Sequence, residues 1–435
     1  MNNTLLKRDT LLWLIPGLHV KRWFLLMLAG ITLIGIGIGF LLVELYHDVA
    51  FPGFVYYLTL QFLPRWARGI LVGTIGISAF LYGLLKLNNS IATVLRGNDK
   101  QPILNKLVQQ RIASQGPRVV TIGGGHGMAA LLRGIKRHTT NITAIVTVAD
   151  DGGSSGRLRR EFGMLPPGDF RMCISALADD ESLVTQLMQY RFGGNSGLAG
   201  HSFGNLFIAA MAELTGSFER AILESSKVVA SAGRIVPSTL TDVTLAAEYF
   251  IPAPAGTHDM MPPAPVRGES SIGKAGFPIE RVWLEPHDPP AYPEAVKAIL
   301  DADLIVLGPG SLFTSVMPNL LVPGIVEALR EARAHVVYAC NVATERSETD
   351  HYTMSDHVIA LENHIGKGVI DYVLANDHVA SEFKPPNGVE IVMAEEHVRG
   401  SEVTVLPSHL ADEKEPWRHD PRRLADAVMK LVRNQ

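Results

Sequence analysis

Cysteine is scarce in this chain, with only Cys173 and Cys340 among 435 residues, far apart and each in apolar surroundings. Two such cysteines exclude a disulfide framework and a cysteine-rich metal site, and they fit a reducing compartment. The 15 histidines show no H-x-x-x-H or H-E-x-x-H spacing, so the sequence lacks the usual zinc-binding patterns. It also lacks a basic stripe with interleaved aromatic residues, and its net charge is −4, so no nucleic-acid partner is expected.

Charge is absent from two long stretches near the N-terminus. Residues 23–43 form an uncharged run of 21, and residues 69–85 form a second run of 17. A bilayer core requires about 20 apolar residues, so these runs predict two transmembrane helices within a membrane anchor at residues 1–115. Residues 86–115 are predicted to form a linker helix that leaves the membrane. Buried helices in a soluble bundle are the alternative.

Flanking cations predict the orientation of this anchor. Four lysines or arginines precede the first run, four follow the second, and two lie in the connecting loop. Because cytoplasmic loops carry an excess of such residues, we expect both termini and the soluble domain in the cytoplasm at the cell membrane. These ten residues are Lys7, Arg8, Lys21, Arg22, Arg65, Arg68, Lys86, Arg96, Lys100 and Lys106.

Residues 116–435 have the pattern of an α/β domain. Arg118–Ile122 is a short β-rich run, a glycine turn and the helical pattern Met128–Arg137 follow, and 142–148 is a continuous apolar strand. This βαβ unit predicts a Rossmann-like, doubly wound, mainly parallel sheet. Four further strands are predicted, then a closing helix at 421–432; the strands are Asp303–Leu307, His335–Cys340, Val369–Ala375 and Val389–Val392. Residues 252–276 are rich in Pro and Gly and predict a surface insertion or flap.

Glycine-rich turns follow two of these predicted strands. Gly125-His126-Gly127 belongs to a G-x-G-x-x-A turn between strand and helix. Backbone amides of such a turn, and the helix N-terminus after it, bind phosphate oxygens. The second turn begins at Gly308 in the other half of the sheet, and parallel strands bring both turns to one edge. The predicted ligand-binding residues here are Gly124, Gly125, His126, Gly127, Met128, Gly308, Pro309, Gly310 and Ser311.

Two adjacent acids, Asp150 and Asp151, end the strand after the first turn. They could accept hydrogen bonds from a ribose, hold Mg²⁺ near phosphates as catalytic and metal-binding residues, or cap the following helix. Gly152 opens a second run of amide donors. No tightly bound organic cofactor is expected.

Further polar residues are candidates for ligand contacts. Asp169 and Arg171 follow a double-proline turn, and Asn341 follows a predicted strand. The motif Gly200-His201-Ser202-Phe203-Gly204 matches the G-x-S-x-G nucleophile elbow, but it follows a loop, whereas an elbow follows a buried strand. We therefore interpret it as a loop that enters a helix with His201 and Asn205 toward the ligand, with a hydrolase as the third reading.

Together these segments resemble the YvcK gluconeogenesis-factor family, which is related to 2-phospho-L-lactate transferase (CofD). The resemblance covers nearly all of residues 118–432. It is carried in order by VVTIGGGHGMAALLRGIK, TVADDGGSSGRLR, PPGDFRMCISALA, AGHSFGNLFIAAM, RIVPSTL, VRGESSI, GPGSLFTSVMPNLLVPGI, NVATERSETDHYTMSDHV and WRHDPRRLA.

This resemblance implies two functions. YvcK-type members are associated with binding UDP-N-acetylglucosamine and with carbon metabolism, cell shape and cell-wall synthesis. The transferase relatives use Mg²⁺ to move a phospholactyl group from a nucleotide donor. The resemblance also implies that Arg418 contacts a sugar-nucleotide. The expected partners are a nucleotide or nucleotide-sugar, the membrane, a second copy of the chain, and regulatory proteins of metabolism or the cell wall.

Overall fold

The computed structural model describes residues 113–433, except 179–182, 196, 250–264, 379–384 and 387, together with scattered positions between 30 and 82. The chain divides into two compact units, Met1–Gln109 and Gln110–Gln435. In the first unit, residues 30–35, 37–39, 66–71 and 73–78 are helical. The predicted linker helix and most of the first predicted span lie outside the described residues.

Membrane-crossing length is not reached by any one helix in the part of the chain that the structure describes. One bent pair, Leu312–Leu320 with Pro323–Glu331, reaches the required length and composition jointly across a 74° bend.

Strands of the second unit form two sheets. The seven-stranded sheet has the order β10-β9-β8-β7-β1-β2-β3, and every pairing in it is parallel. The three-stranded sheet has the order β5-β4-β6 and is antiparallel. The strands are β1 Val119–Gly123, β2 Ile142–Val146, β3 Arg234–Pro237, β4 Thr244–Tyr249, β5 Val266–Arg267, β6 Ile279–Glu285, β7 Leu304–Leu307, β8 His335–Ala339, β9 Tyr372–Asn376 and β10 Thr404–Ser408.

Helices connect most of these strands. A π-helical turn at Leu312–Val316 precedes one of the short helices. The helices are α1 Gly125–Ile135, α2 Gly153–Phe162, α3 Gly168–Leu177, α4 Leu183–Gln189, α5 Phe203–Thr215, α6 Phe218–Val228, α7 Glu269–Ile272, α8 Pro293–Leu300, α9 Met317–Leu320, α10 Pro323–Glu331, α11 Met354–Ile365 and α12 Pro421–Arg433.

The strand order confirms the predicted mainly parallel α/β fold. From β1, successive strands are added on one side as far as β3, and the later strands, beginning with β7, are added on the other side. The order of the strands therefore reverses between β1 and β7, and Val119 of β1 pairs with Ile142 on one side and with Leu304 on the other. This is the switch point of a doubly wound sheet, where ligands bind beyond the carboxyl ends of the strands. Every residue of β1 and β7 is buried, which explains their continuous apolar sequences.

Part of the predicted insertion at 252–276 is regular structure. Residues 252–264 lie outside the described residues, but β5 pairs with β4 through Ala246 and Ala247, and α7 follows directly. The described end of this segment is therefore a strand and a short helix on the smaller sheet, rather than a loop.

One predicted strand is wrong, and the strands at both edges of the larger sheet were not predicted. Residues 389–392 form only an isolated bridge, between Ile391 and Ala343, because they pair with the loop that follows β8. The edge strands β3 and β10 were not predicted, and each contains a proline, Pro237 or Pro407. Proline cannot donate to a sheet ladder, so it is tolerated at sheet edges, where both strands lie.

Candidate functional site

The two glycine turns meet at the carboxyl ends of β1 and β7. A Cβ atom on Gly127 would lie 2.6 Å from the carbonyl oxygen of Pro309, and one on Gly310 would lie 3.1 Å from that of Gly124. Real Cβ contacts do not approach 2.6 Å, so Gly127 is required for the close approach of the two turns. The structure thus brings the two predicted turns together.

A cavity of about 830 Å³ opens above this contact. Its volume lies within the range of small-molecule sites. Nine predicted site residues line it: Gly125, His126, Gly127, Asp150, Asp169, Gly310, Ser311, Asn341 and Arg418. The lining residues that sequence reasoning did not single out include Arg133, Glu269, Glu345, Arg346, Trp417 and His419.

Some of the turn amides already have acceptors in the protein. The carboxylate of Asp169 accepts a hydrogen bond from the backbone of Gly125. The Asn341 side chain accepts from the Gly310 amide at 3.2 Å and donates to the Gly310 carbonyl at 3.0 Å. The amides that follow in the first turn of α1 have no intrahelical acceptor by helix geometry. A bound anion would therefore meet His126 and Gly127 rather than the whole turn.

Three carboxyl groups converge beside the first turn. Burial, followed by the nearby charge of Asp150, raises the pKa of Asp169 to about 7. Burial, followed by repulsion from Asp150 and Asp169, raises the pKa of Glu269 to about 9. At neutral pH, Glu269 is therefore protonated, and its carboxyl group donates a hydrogen bond to Asp150.

The two predicted metal-binding acids have different surroundings. Asp150 lines the cavity, whereas the Asp151 carboxylate accepts a 2.8 Å hydrogen bond from the amide of Ser270 and fixes α7. Gly268 has a φ of 92° and lies against the Asp151 carboxylate, where a side chain would not fit. The next residue, Glu269, is thereby placed at the start of α7 beside Asp151. Across the described residues, no group of three or more His, Cys, Asp or Glu side chains is arranged to hold a metal ion.

A second pair of acids, Glu345 and Glu348, lies beside the second glycine turn and the π-helical turn. Burial raises the pKa of Glu345, and its carboxylate accepts a hydrogen bond from Ser311. Burial likewise raises the pKa of Glu348 to about 7, and this carboxylate accepts from the Thr314 hydroxyl at 2.6 Å and the Phe313 amide at 3.3 Å. Glu348 therefore holds the π-helical turn in place beneath the second glycine turn.

Arginines supply positive charge close to the first turn. Arg133, Arg346 and Arg418 line the cavity. The pKa of His126 is lowered by burial first and then by Arg171, Arg418 and Arg133, in that order. His126 at the start of α1 is therefore surrounded by cations, an environment that favours an anionic ligand.

Three predicted ligand contacts form a buried network instead of lining the cavity. Arg171 donates to Asn205 at 2.9 Å, Asn205 donates to Ser154 at 3.1 Å, and Ser154 lies 2.9 Å from His201 Nδ1. This chain ties α2, α3 and α5 together. Arg171, His201 and Asn205 therefore hold these helices together, and their direct contact with a ligand stays a prediction.

The G-x-S-x-G motif is a helix cap in this fold. Ser202 precedes α5, and its hydroxyl accepts a 3.3 Å hydrogen bond from the Asn205 amide. The Nδ1 atom of the neighbouring His201 is hydrogen bonded to the Ser154 hydroxyl. An elbow serine would instead follow a strand and face a catalytic base. The hydrolase reading therefore has no support in the geometry.

The remaining predicted residues lie near the cavity without lining it. Met128 is fully buried in the core. Gly152 donates its amide to Asp150 at 2.8 Å. Gly124, Gly308 and Pro309 form the backbone contact between the two turns.

The segment 412–421 forms the wall that sequence reasoning covered least. An antiparallel bridge joins Ala411 to His419, and the Asp412 amide donates to the Arg418 carbonyl at 2.9 Å. The α12 helix that follows packs on α1. Arg418 was predicted only through the family resemblance, since neither spacing nor periodicity places this segment beside the glycine turns.

Comparisons with known proteins identify relatives along the whole chain. The family model described as 2-phospho-L-lactate transferase CofD matches residues 119–432. The gluconeogenesis factor of Bacillus subtilis is 42% identical over 325 residues, which cover 73% of this chain and 99% of that protein. A crystal structure of a Bacillus halodurans protein is 43% identical, with a TM-score of 0.64 over 72% of this chain and 99% of that one.

A relative from Nostoc sp. extends further toward the N-terminus. It is 42% identical over 435 residues, which cover 96% of this chain and 91% of that protein. Residues 113–435 make up less than three quarters of the chain. The Nostoc alignment therefore includes most of the N-terminal region, which the Bacillus subtilis relative does not cover.

Proposed function

Because this chain belongs to the gluconeogenesis-factor family with a CofD-type domain, we propose that it binds a nucleotide-sugar of the UDP-N-acetylglucosamine type and regulates carbon metabolism, cell shape and cell-wall synthesis. The observation that carries the proposal is the cavity at the switch point of the sheet, with cations at the helix N-terminus and hydrogen-bonding groups farther along its walls.

The charge distribution suggests how such a ligand would lie. The diphosphate would sit at the N-terminus of α1, near the amides of His126 and Gly127 and the guanidinium groups of Arg133 and Arg418. The uncharged parts would extend along the rest of the cavity wall, past the hydrogen-bonded pair of Glu269 and Asp150. A nucleotide-sugar fits this division because its charge is confined to the diphosphate.

A membrane location is a further part of the proposal. The uncharged runs at 23–43 and 69–85 are its main support. Large apolar side chains on the described helical residues of these runs are exposed, among them Leu33, Ile34 and Ile75. Carbonate washing of membranes from cells that express the full chain tests this point. Release of the protein into the wash would argue against an integral anchor.

Ligand binding is tested by thermal unfolding of the full-length protein with UDP-N-acetylglucosamine, GDP and NAD, each with and without Mg²⁺. A ligand at 100 times its Kd stabilises a protein by about 2.7 kcal/mol, which is readily measured. We expect the UDP-sugar to raise the unfolding temperature without metal. No shift with UDP-N-acetylglucosamine, or an equal shift with NAD, would contradict the proposal.

A transferase acting on a nucleotide-linked phospholactate donor is the second candidate. The presence of Asp150 and Asp169 in the cavity wall favours it, because carboxylate oxygens are the donors that Mg²⁺ prefers. Against it, one carboxylate oxygen of Asp151 already accepts a hydrogen bond from the Ser270 amide on α7. Turnover of a guanylyl-linked donor only in the presence of Mg²⁺ would support this candidate over the sensor.

A further inference from the structure

His419 is a buried polar residue whose side chain lacks hydrogen bonds. Both of its ring nitrogens are buried and have no hydrogen-bond partner within the part of the chain that the structure describes. Buried polar side chains almost always have a partner, and leaving one unpaired is costly. Such a residue therefore requires an explanation other than packing.

The backbone around His419 holds the ring in this position. On one side the antiparallel bridge joins His419 to Ala411. On the other, the Asp420 carboxylate accepts from the amides of Arg422 and Arg423 at 2.8 and 2.9 Å and so caps α12. The residue is thus fixed between a bridge and a helix cap, without any contribution from its imidazole nitrogens.

His419 also lines the candidate cavity, as do Trp417 and Arg418. Burial is the cause that lowers the pKa of His419, to about 4. The imidazole is therefore neutral at physiological pH, with one nitrogen that donates and one that accepts. A neutral group with this pairing complements an uncharged polar group far better than it complements a phosphate.

We infer, on the premise of the proposed nucleotide-sugar binding, that His419 determines specificity by hydrogen bonding to an uncharged donor or acceptor of the ligand, in the sugar or in the base. The ligand supplies the partner that the imidazole lacks. The adjacent residue, Arg418, supplies the positive charge that binds the diphosphate. Two neighbouring residues therefore contact the two chemically different parts of the ligand, its charged diphosphate and its uncharged sugar or base.

The test uses full-length His419→Leu, which fills similar space without polar atoms, and His419→Gln, which keeps a donor and an acceptor. Binding of UDP-N-acetylglucosamine, UDP and inorganic diphosphate is measured by calorimetry, and unfolding temperature is measured without ligand. His357→Leu is the matched control. His357 is also a buried histidine with an unpaired Nε2, but it lies on α11 and does not line the cavity.

We expect His419→Leu to weaken UDP-N-acetylglucosamine binding by about tenfold or more, to leave diphosphate binding within about twofold, and to keep or raise the ligand-free unfolding temperature. His419→Gln should recover part of the affinity, and His357→Leu should bind normally. An equal loss for UDP places the partner in the base or ribose, whereas a loss confined to the UDP-sugar places it in the sugar; both outcomes support the inference.

Three results would overturn it. Unchanged UDP-sugar affinity in His419→Leu would refute the role of His419 alone and leave the proposed function intact. A large drop in ligand-free unfolding temperature would show that the ring serves packing. A wild-type protein that binds none of the nucleotides would refute the proposed function and, with it, the premise of the inference.

Discussion

Removing the charge of Asp169 should stabilise the ligand-free protein at alkaline pH. Its carboxyl group is buried beside Asp150 and Glu269, and its pKa is raised to about 7. Between the ordinary value of 3.8 and about 7, the folded protein holds a proton that the unfolded chain releases. Stability therefore falls as pH rises through this window, and the loss is complete above pH 7.

The size of this effect follows from the pKa. One pH unit corresponds to about 1.4 kcal/mol, so the rise from 3.8 to about 7 corresponds to about 4 kcal/mol at pH 8. Asn at this position keeps an oxygen for the Gly125 amide but adds an amide group that needs acceptors. We therefore expect Asp169→Asn to gain about 2–4 kcal/mol at pH 8, and little at pH 4.5.

The measurement is the thermal unfolding temperature of wild type and Asp169→Asn from pH 4.5 to 8.5. We expect the variant to unfold about 4 °C or more above wild type at pH 8, and the difference to vanish toward pH 4.5. Asp301→Asn, a substitution of an exposed acid, is the control and should show no such pH dependence. Equal stability of Asp169→Asn and wild type at pH 8 would refute the argument that the buried charge of Asp169 destabilises the folded protein.

Three further predictions concern the turns, the charge and the helix cap. Gly127→Ala should destabilise the protein by about 2 kcal/mol or more and abolish ligand binding, because its Cβ would strike the second turn, whereas Gly193→Ala, with open space around it, should be neutral in thermal unfolding. Arg418→Ala should weaken diphosphate and UDP-sugar binding by about tenfold in calorimetry, while the exposed Arg422→Ala should not. Ser202→Ala should cost about 1 kcal/mol as a lost N-cap in chemical denaturation, with esterase activity absent from both proteins.

Each of these predictions has a contradicting outcome. Normal binding by Gly127→Ala would mean that the two turns need not touch. Equal binding by the Arg418 and Arg422 variants would remove Arg418 from the ligand site. Esterase activity that disappears in Ser202→Ala would restore the hydrolase reading.

The central strands were predictable because they are buried on both faces and therefore have continuous apolar sequences. β1, β2, β7 and β8 were located in this way. The edge strands β3 and β10 were missed because Pro237 and Pro407 lower their apparent strand propensity. Residues 389–392 were wrongly predicted as a strand because a short apolar run can also occur in a loop. In the larger sheet, a continuous apolar sequence without proline therefore decided which strands could be predicted.

The candidate site was predictable where motif and strand end coincide. The two glycine turns and Asp150 met this condition, and they share one cavity. Glu269 and His419 did not, because each reaches the cavity through a pairing that no motif marks, β5 with β4 in one case and residue 411 with residue 419 in the other. Arg171 and Asn205 have side chains suited to ligand contact, but in the structure they bond to each other and join helices, which their sequence positions did not indicate.

The pairing of β5 with β4 has a consequence for how this family can diversify. β4 ends at Tyr249 and β5 begins at Val266, which pairs with Ala247, so the two strands that flank this connection lie side by side. Doubling the length of such an excursion costs only about 0.6 kcal/mol in closure entropy. The number and sequence of the residues between β4 and β5 can therefore change during evolution while Glu269 remains beside Asp150. One lineage can acquire a new surface at this connection without changing the positions of Asp150, Asp169 and Glu269.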